Sequence, residues 1–204
     1  MEIKTMIEGP VGTNMYIVSE GRDCVIIDPA FYDEEAVRYI MNTGLDLRAI
    51  LLTHAHFDHT LGLSDYLDCF SVDVYLSEDD REMLYVGAKD ASGAFGITYR
   101  VSQIPGTVPA RDGDELTFGS LSFRVIATPG HTRGSVCYLS EKDNVLFSGD
   151  TLFFAGAGRT DLYSGSYIQL MSSIKNRLMS LPDETAVYTG HGRNTTIENE
   201  RRYY

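Results

Sequence analysis

Along the first third of the chain, apolar residues come in short β-rich runs separated by turn signals. Residues 3–7, 15–19 and 24–28 are such runs, with GPVG and EGRD among the breaks. Each predicts a strand. Asp33, Glu34 and Glu35 then open a helical pattern, with Ala36, Val37, Ile40 and Met41 on one face, that stops near residues 42–44. Residues 48–53 predict a short buried strand, 61–70 a helix, 72–76 a strand and 79–86 a second helix. Residues 89–109 break the rhythm. They hold Gly93, Gly96, Pro105, Gly106 and Pro109, with Phe95 and Tyr99 between, and predict a long surface loop. Such loops are uncommon unless functional. The second half repeats the recipe, with strands at 115–118, 121–127, 135–139 and 144–148, a helix at about 167–181 and a last strand at 186–189.

Each half thus runs strands first and helix last. The expected fold is α+β: two mixed β-sheets packed face to face with helices outside, a four-layer αββα sandwich. No literal repeat, low-complexity tract or linker interrupts it. The 204 residues can bury a core as a single domain over 1–204.

Composition narrows the partners. The net charge is −12, which argues against nucleic acid, since phosphate binding needs clustered Lys and Arg. Soluble small molecules are the expected partners. The first twenty residues show no apolar signal-peptide core, and no apolar run nears the ~20 residues of a membrane helix. Cys24, Cys69 and Cys137 are odd in number, widely spaced and form no CxxC pair. They read as buried, reduced core residues, which predicts a cytoplasmic protein.

Candidate chemistry sits where the apolar runs stop. Residues 50–62 read ILLTHAHFDHTLG, which places three of the five histidines within six residues. His54 and His56 lie two apart at a strand end, so their side chains leave one face. Asp58 and His59 follow as the chain turns into a helix, so a strand edge and a helix start can surround one small volume. Imidazole nitrogens and carboxylate oxygens are ligands for zinc, iron or manganese. A solvated His-rich turn is the bland alternative, which chance makes improbable in a chain this poor in histidine. The remaining histidines follow strands too: His131 in TPGHTRGS and His191 in YTGHGR, with Asp150 in FSGDTLF. Strand-end loops are where binding groups gather.

THAHFDH, the GHT at His131, the GDTLF at Asp150 and the TGHG at His191 resemble the metallo-β-lactamase fold superfamily, in order and rough spacing over nearly the whole chain. Within it, GDTLFFAGAGRTD resembles the glyoxalase II branch, the hydroxyacylglutathione hydrolases and their small bacterial relatives. That fold is an αββα sandwich. The resemblance implies two adjacent divalent metal ions, zinc first, with iron or manganese as other occupants. His54, His56 and His131 would hold one ion, Asp58, His59 and His191 the other, and Asp150 would bridge them. Asp58 and Asp150 are the carboxylates it assigns to catalysis. Thr53, Asp28, Thr132 and Thr151 are candidates for orienting the ligands; Asp28 could equally just hold its loop.

A metal-bridging hydroxide would attack an acyl carbon, and a thiolate, with a parent thiol pKa near ~8.5, leaves without strong protonation. Thioester or related ester hydrolysis is therefore the expected reaction on a small-molecule thioester, with no nucleic acid or membrane partner; oligomeric state is left open. Departures from the branch bear on the thiol carrier. Its full-length members carry an extra C-terminal helical domain that helps bind glutathione, and here the chain ends at Tyr204. Arg159 stands near their lysine and Asp161 where their tyrosine is expected. These two either contact substrate or form a loop-internal salt bridge or a helix-docking contact. Phe95 and Tyr99 are expected to line the substrate entrance, or else to pack as surface rings. A mononuclear iron persulfide dioxygenase is the alternative enzyme, and a non-catalytic metal-binding module the lesser one. Secreted β-lactamases of this fold often carry cysteine at the Asp150 position, and flavodiiron relatives glutamate at the His56 position, which disfavours both.

Overall fold

A computed structural model of the chain describes residues 1–98 and 106–204. Strands β1 (Glu2–Glu8), β2 (Thr13–Glu20) and β3 (Asp23–Ile27) form an antiparallel ribbon. In β2 and β3 nearly every side chain is buried. Successive strand residues point to opposite faces, so these strands feed two cores at once. Met15, Ile17, Cys24 and Ile26 enter an outer core; Tyr16, Val18, Val25 and Ile27 enter a middle one.

Parallel neighbours need crossover connections. Helix α1 (Glu34–Asn42) links β3 to β4 (Asp46–Leu51), and α2 (Phe57–Thr60) with α3 (Leu63–Cys69) links β4 to β5 (Asp73–Leu76). Asp33 caps α1 by accepting from the Glu35 amide, and Ala36, Val37 and Ile40 face the outer core. With β6 (Thr107–Pro109) the first sheet has the order β1-β2-β3-β4-β5-β6.

The second sheet contains β7 (Glu115–Phe118), β8 (Leu121–Ala127), β9 (Val136–Ser140) and β10 (Val145–Gly149), all antiparallel. A two-stranded hairpin of β11 (Leu152–Phe153) and β12 (Gly156–Ala157) follows. Helix α4 (Tyr167–Ser173) continues into a π turn over Ile174–Leu178 and leads to β13 (Ala186–Thr189), parallel to β10. β14 (Thr195–Thr196) and α5 (Ile197–Arg201) complete the order β14-β13-β10-β9-β8-β7. Phe123, Val125, Tyr138 and Phe147 face the middle core, whereas Ile126, Cys137, Leu146 and Leu170 form a third core under α4. The layers are helices, sheet, sheet, helices, the expected αββα sandwich. Tyr16 and Phe123 both pack against Phe147, at 5.3 and 6.2 Å between ring centres. Truncating such a buried ring costs about 3–5 kcal/mol.

Several sequence expectations change. Met41 is exposed, not on the buried face of α1. Cys69 is exposed at the end of α3, with its sulfur 3.8 Å from the Tyr32 hydroxyl, so only Cys24 and Cys137 are core cysteines. The helix expected at 61–70 is preceded by a separate turn, α2, because the Gly62 amide donates to Pro29 O (2.9 Å). Residues 78–84 form a 3₁₀ helix rather than an α-helix. The stretch 89–109 is not wholly loop: Ser92–Phe95 is a 3₁₀ turn, and Thr107–Pro109 pairs with β5. Pro109 fits there because β6 is an edge strand, where a missing amide donor is tolerated. Tyr99 lies outside the described residues.

Candidate metal centre

One end of the sandwich gathers the polar strand-end residues. β4 ends at Leu51, and His54 follows in the turn after it. His56 is the N-cap of α2, and Asp58 and His59 lie within it. His131 follows β8, Asp150 follows β10 and His191 follows β13. Backbone bonds lock these turns across the two sheets. Val136 N donates to Thr53 O (2.8 Å) and Asn14 N to Gly190 O (2.7 Å). The Tyr138 hydroxyl donates to Leu52 O (2.9 Å).

The ring centres of His54 and His56 are 4.8 Å apart, and those of His56 and His131 4.6 Å. His59 lies 4.1 Å from His54 and 5.3 Å from His191. Two donor groups stand out, His54, His56 and His131, and Asp58, His59 and His191; a third set, Asp28, His54 and His59, shares a histidine with each. Asp150 reaches both of the first two. Its Oδ1 is 3.3 Å from His59 Nε2, and its Oδ2 is 3.4 Å from His131 Nε2 and 3.5 Å from His191 Nε2.

Hydrogen bonds fix which nitrogen faces inward. His131 Nδ1–H donates to Arg159 O (2.8 Å), and His59 Nδ1–H donates to Asp28 Oδ2 (2.9 Å). Thr53 donates its hydroxyl to Asp28 Oδ2 (2.6 Å), so its oxygen accepts from His54 Nδ1–H (3.1 Å). Each of the three rings is anchored at Nδ1 and turns Nε2 to the centre. This is the arrangement that orients histidine for a metal. Thr53 and Asp28 therefore do orient histidines. The hydroxyls of Thr132 and Thr151 bond elsewhere: Thr132 donates to Asp80 Oδ2 (2.6 Å), and Thr151 meets the Thr128 hydroxyl (2.8 Å).

The donor set fits cations. His54 Nε2 and His56 Nε2 are buried and have no hydrogen-bond partner among the described residues, while His59 Nε2 meets Asp150 Oδ1 at 3.3 Å and His56 Nδ1 faces His131 Nε2 at 2.8 Å. Such orphaned atoms cost about 1–3 kcal/mol each unless something satisfies them. Asp28, Asp58 and Asp150 also crowd negative charge into a buried volume, which needs compensation. Burial, together with the neighbouring His59 and His131, holds His54 well below the usual imidazole range, and burial takes His56 down to about 3. Both are neutral near pH 7, as ligands must be. Burial lowers His191, but the Asp150 and Asp58 carboxylates outweigh it and raise the ring to about 9.

A cleft of about 370 Å³ opens onto this cluster, bordered by Asp58, Asp150 and His191. Val11, Phe95, Phe153 and Leu162 supply its apolar wall. Phe95 is 47% exposed and packs on Phe57 at 5.4 Å between ring centres. Arg159 also lines the cleft, while its guanidinium makes a two-pronged pair with Asp161 at 2.7 Å on each prong. That is the loop-internal salt bridge. Val11 and Leu162 carry no sequence signal, since isolated apolar residues in loops look alike until the fold brings them together; Phe153 closes the GDTLF motif, but nothing in that motif says that it faces a cleft. Size alone does not select the site: a groove of about 460 Å³ beside Tyr85 and Ile97 carries no histidine, cysteine or carboxylate.

The family model described as the metallo-beta-lactamase superfamily matches residues 9–191. "Probable metallo-hydrolase YqgX" of Bacillus subtilis is 36% identical, over 98% of this chain and 95% of its own length. "Hydroxyacylglutathione hydrolase GloC" of Haemophilus influenzae is 32% identical, over 91% of this chain and 88% of its own. Among solved structures, "BLEG-1 B3 metallo-beta-lactamase" superposes with a TM-score of 0.92 at 38% identity, covering 98% of this chain and 97% of that one. "TTHA1623 in a di-iron-bound form" gives 0.87 at 37%, with the same coverage of 98% and 97%.

Proposed function

This chain belongs to the metallo-beta-lactamase superfamily, and on that premise we propose that it is a dinuclear metallohydrolase that cleaves thioesters, in the manner of the hydroxyacylglutathione hydrolases. The observation that carries the reading is the carboxylate of Asp150, which lies within 3.5 Å of histidines from both donor groups. His54, His56 and His131 would hold one ion, Asp58, His59 and His191 the second, and Asp150 both. Divalent ions at such a centre polarise an acyl oxygen and lower the pKa of bound water from ~15.7 to about 7.

The chain's own residues do the rest. Asp58 Oδ2 accepts from the Thr13 hydroxyl (3.0 Å) and sits 3.2 Å from His191 Nε2, so its carboxylate is held in place. Val11, Phe95, Phe153 and Leu162 would cover the acyl or thiol portion of a substrate and exclude water. A thiolate leaving group needs no strong acid, since a free thiol has a pKa near ~8.5. This suits a cleft where every histidine is committed. Zinc as the occupant, a single domain over 1–204 and a cytoplasmic location belong to the same reading; among the described residues no helix is long and apolar enough to cross a membrane.

Metal analysis of the isolated protein, paired with a thioester panel that includes a hydroxyacyl-glutathione, tests the reading. Two metal equivalents and thioester turnover are expected. One iron per chain with oxygen uptake on a persulfide would replace it by the dioxygenase. The likeness to BLEG-1 favours a second reading, β-lactam hydrolysis, and ring opening of a β-lactam without thioester turnover would establish that instead.

A further inference from the structure

Three carboxylates border the histidines, and among the buried ones outside them is Asp80. Asp80 sits in the 3₁₀ helix Glu78–Leu84 after β5 and is fully buried. Its Oδ2 accepts from the Ala55 amide (3.3 Å) and from the Thr132 hydroxyl (2.6 Å), and its Oδ1 accepts from the Gly134 amide (2.8 Å). Ala55 is the residue between His54 and His56, while Thr132 and Gly134 follow His131 in the same loop. The first turn leaves the first sheet and the second connects strands of the second sheet. We propose that Asp80 is a positioning residue for the centre: it ties the His54/His56 turn to the His131 loop and so fixes the spacing of these three imidazoles.

Packing at this contact is tight enough to transmit position. A Cβ on Gly134 would lie 2.6 Å from Asp80 Cγ and 2.7 Å from Asp80 Oδ1, so only glycine lets the amide come this close. Ser135 reinforces the loop. It accepts from the Thr132 amide (3.1 Å), and its hydroxyl lies 2.8 Å from that of Thr132. A buried carboxylate is costly, and burial pushes the Asp80 pKa upward. Among the described residues it forms no ion pair, only bonds to neutral donors. An apolar side chain would fill the same space at lower cost but could not join the two loops.

The proposal rests on the two-ion reading of the site, but not on the reaction. It is tested by zinc titration of the metal-stripped protein against a competing chelator. Asp80→Asn keeps the shape and replaces one acceptor by a donor. It is expected to weaken zinc at the His54/His56/His131 group by about 10–100-fold, as the loss of outer partners does elsewhere, and to leave a second equivalent unchanged. In cobalt-loaded protein only one of the two spectral steps should shift. In metal-free protein the Ala55 and Gly134 amides should exchange faster. Thr132→Val, which removes a single donor, should act in the same direction more weakly. A folded Asp80→Asn protein with wild-type zinc affinity overturns the proposal, as does equal weakening of both equivalents alongside a lowered Tm. If Asp80→Asn does not fold, Thr132→Val with wild-type affinity overturns it. A wild-type protein that takes up no zinc sinks the metal reading and the proposal with it.

Discussion

Asp150 and Cys137 are both buried polar groups near strand ends of the second sheet, yet their surroundings give them opposite fates. Burial alone would raise the Asp150 carboxyl, but His59 and His191 outweigh it and hold it well below the usual range. Cys137 is pushed by burial up to about 11 and packs with Leu139 and Leu146 in the third core. A thiol held neutral in this way acts as a small hydrophobe. Asp150→Ala should therefore cost more than ~100-fold in kcat/KM, above what outer partners of a metal contribute. Cys137→Ala should cost about 1 kcal/mol of stability and little activity. Comparable kinetic losses in two folded variants would contradict the assignment. Asp28, bonded to the His59 ring, and Asp80, bonded to the loops that carry His54, His56 and His131, are unequally visible in the sequence. Asp28 stands out at the end of an apolar run, whereas Asp80 is hidden in the acidic run of Glu78, Asp79 and Asp80, where nothing in the order of residues says which one turns inward.

At the scale of elements, the centre depends on strand ends that approach without side chains between them. A Cβ on Gly190, just past β13, would lie 2.1 Å from Asp150 Oδ1 and 2.9 Å from His59 Cε1. Gly190→Ala should weaken metal binding by at least ~10-fold while the global fold is kept, as displaced orienting groups do; chelator competition reads this directly, and unchanged affinity would show that the strand ends can yield. The 3₁₀ turn Ser92–Phe95 belongs to the cleft wall, not to the metal cluster. Phe95→Ala is expected to raise KM several-fold or alter thioester preference at constant metal content, because it removes an apolar ring that covers ligand. Unchanged kinetics across a varied panel would assign the ring to its packing on Phe57.

For the whole molecule, the sandwich and its centre are expected to be energetically linked. The buried orphan nitrogens and clustered carboxylates are stabilised when cations bind the native state and not the unfolded chain. Metal at a thousand times its Kd contributes about 4 kcal/mol, so stripping with a chelator should lower Tm by on the order of 10 °C for a chain of this size. A Tm indifferent to chelation would mean that the cluster carries no bound ion. The linkage follows from how the fold is built, and here the two sources of information divide. Residue order alone carries the short apolar runs that become β2 and β3, the helical pattern that buries Ala36, Val37 and Ile40, and the five histidines and two aspartates placed where apolar runs stop. These are local properties, carried by period and by residue type. It could not determine that Met41 and Cys69 face solvent, that residues 107–109 pair as an edge strand, that Val11, Phe153 and Leu162 share a wall, or that Asp80 rather than Asp79 joins two loops. Those outcomes depend on which distant segment lies opposite each side chain, and only the packing of one sheet on the other decides that.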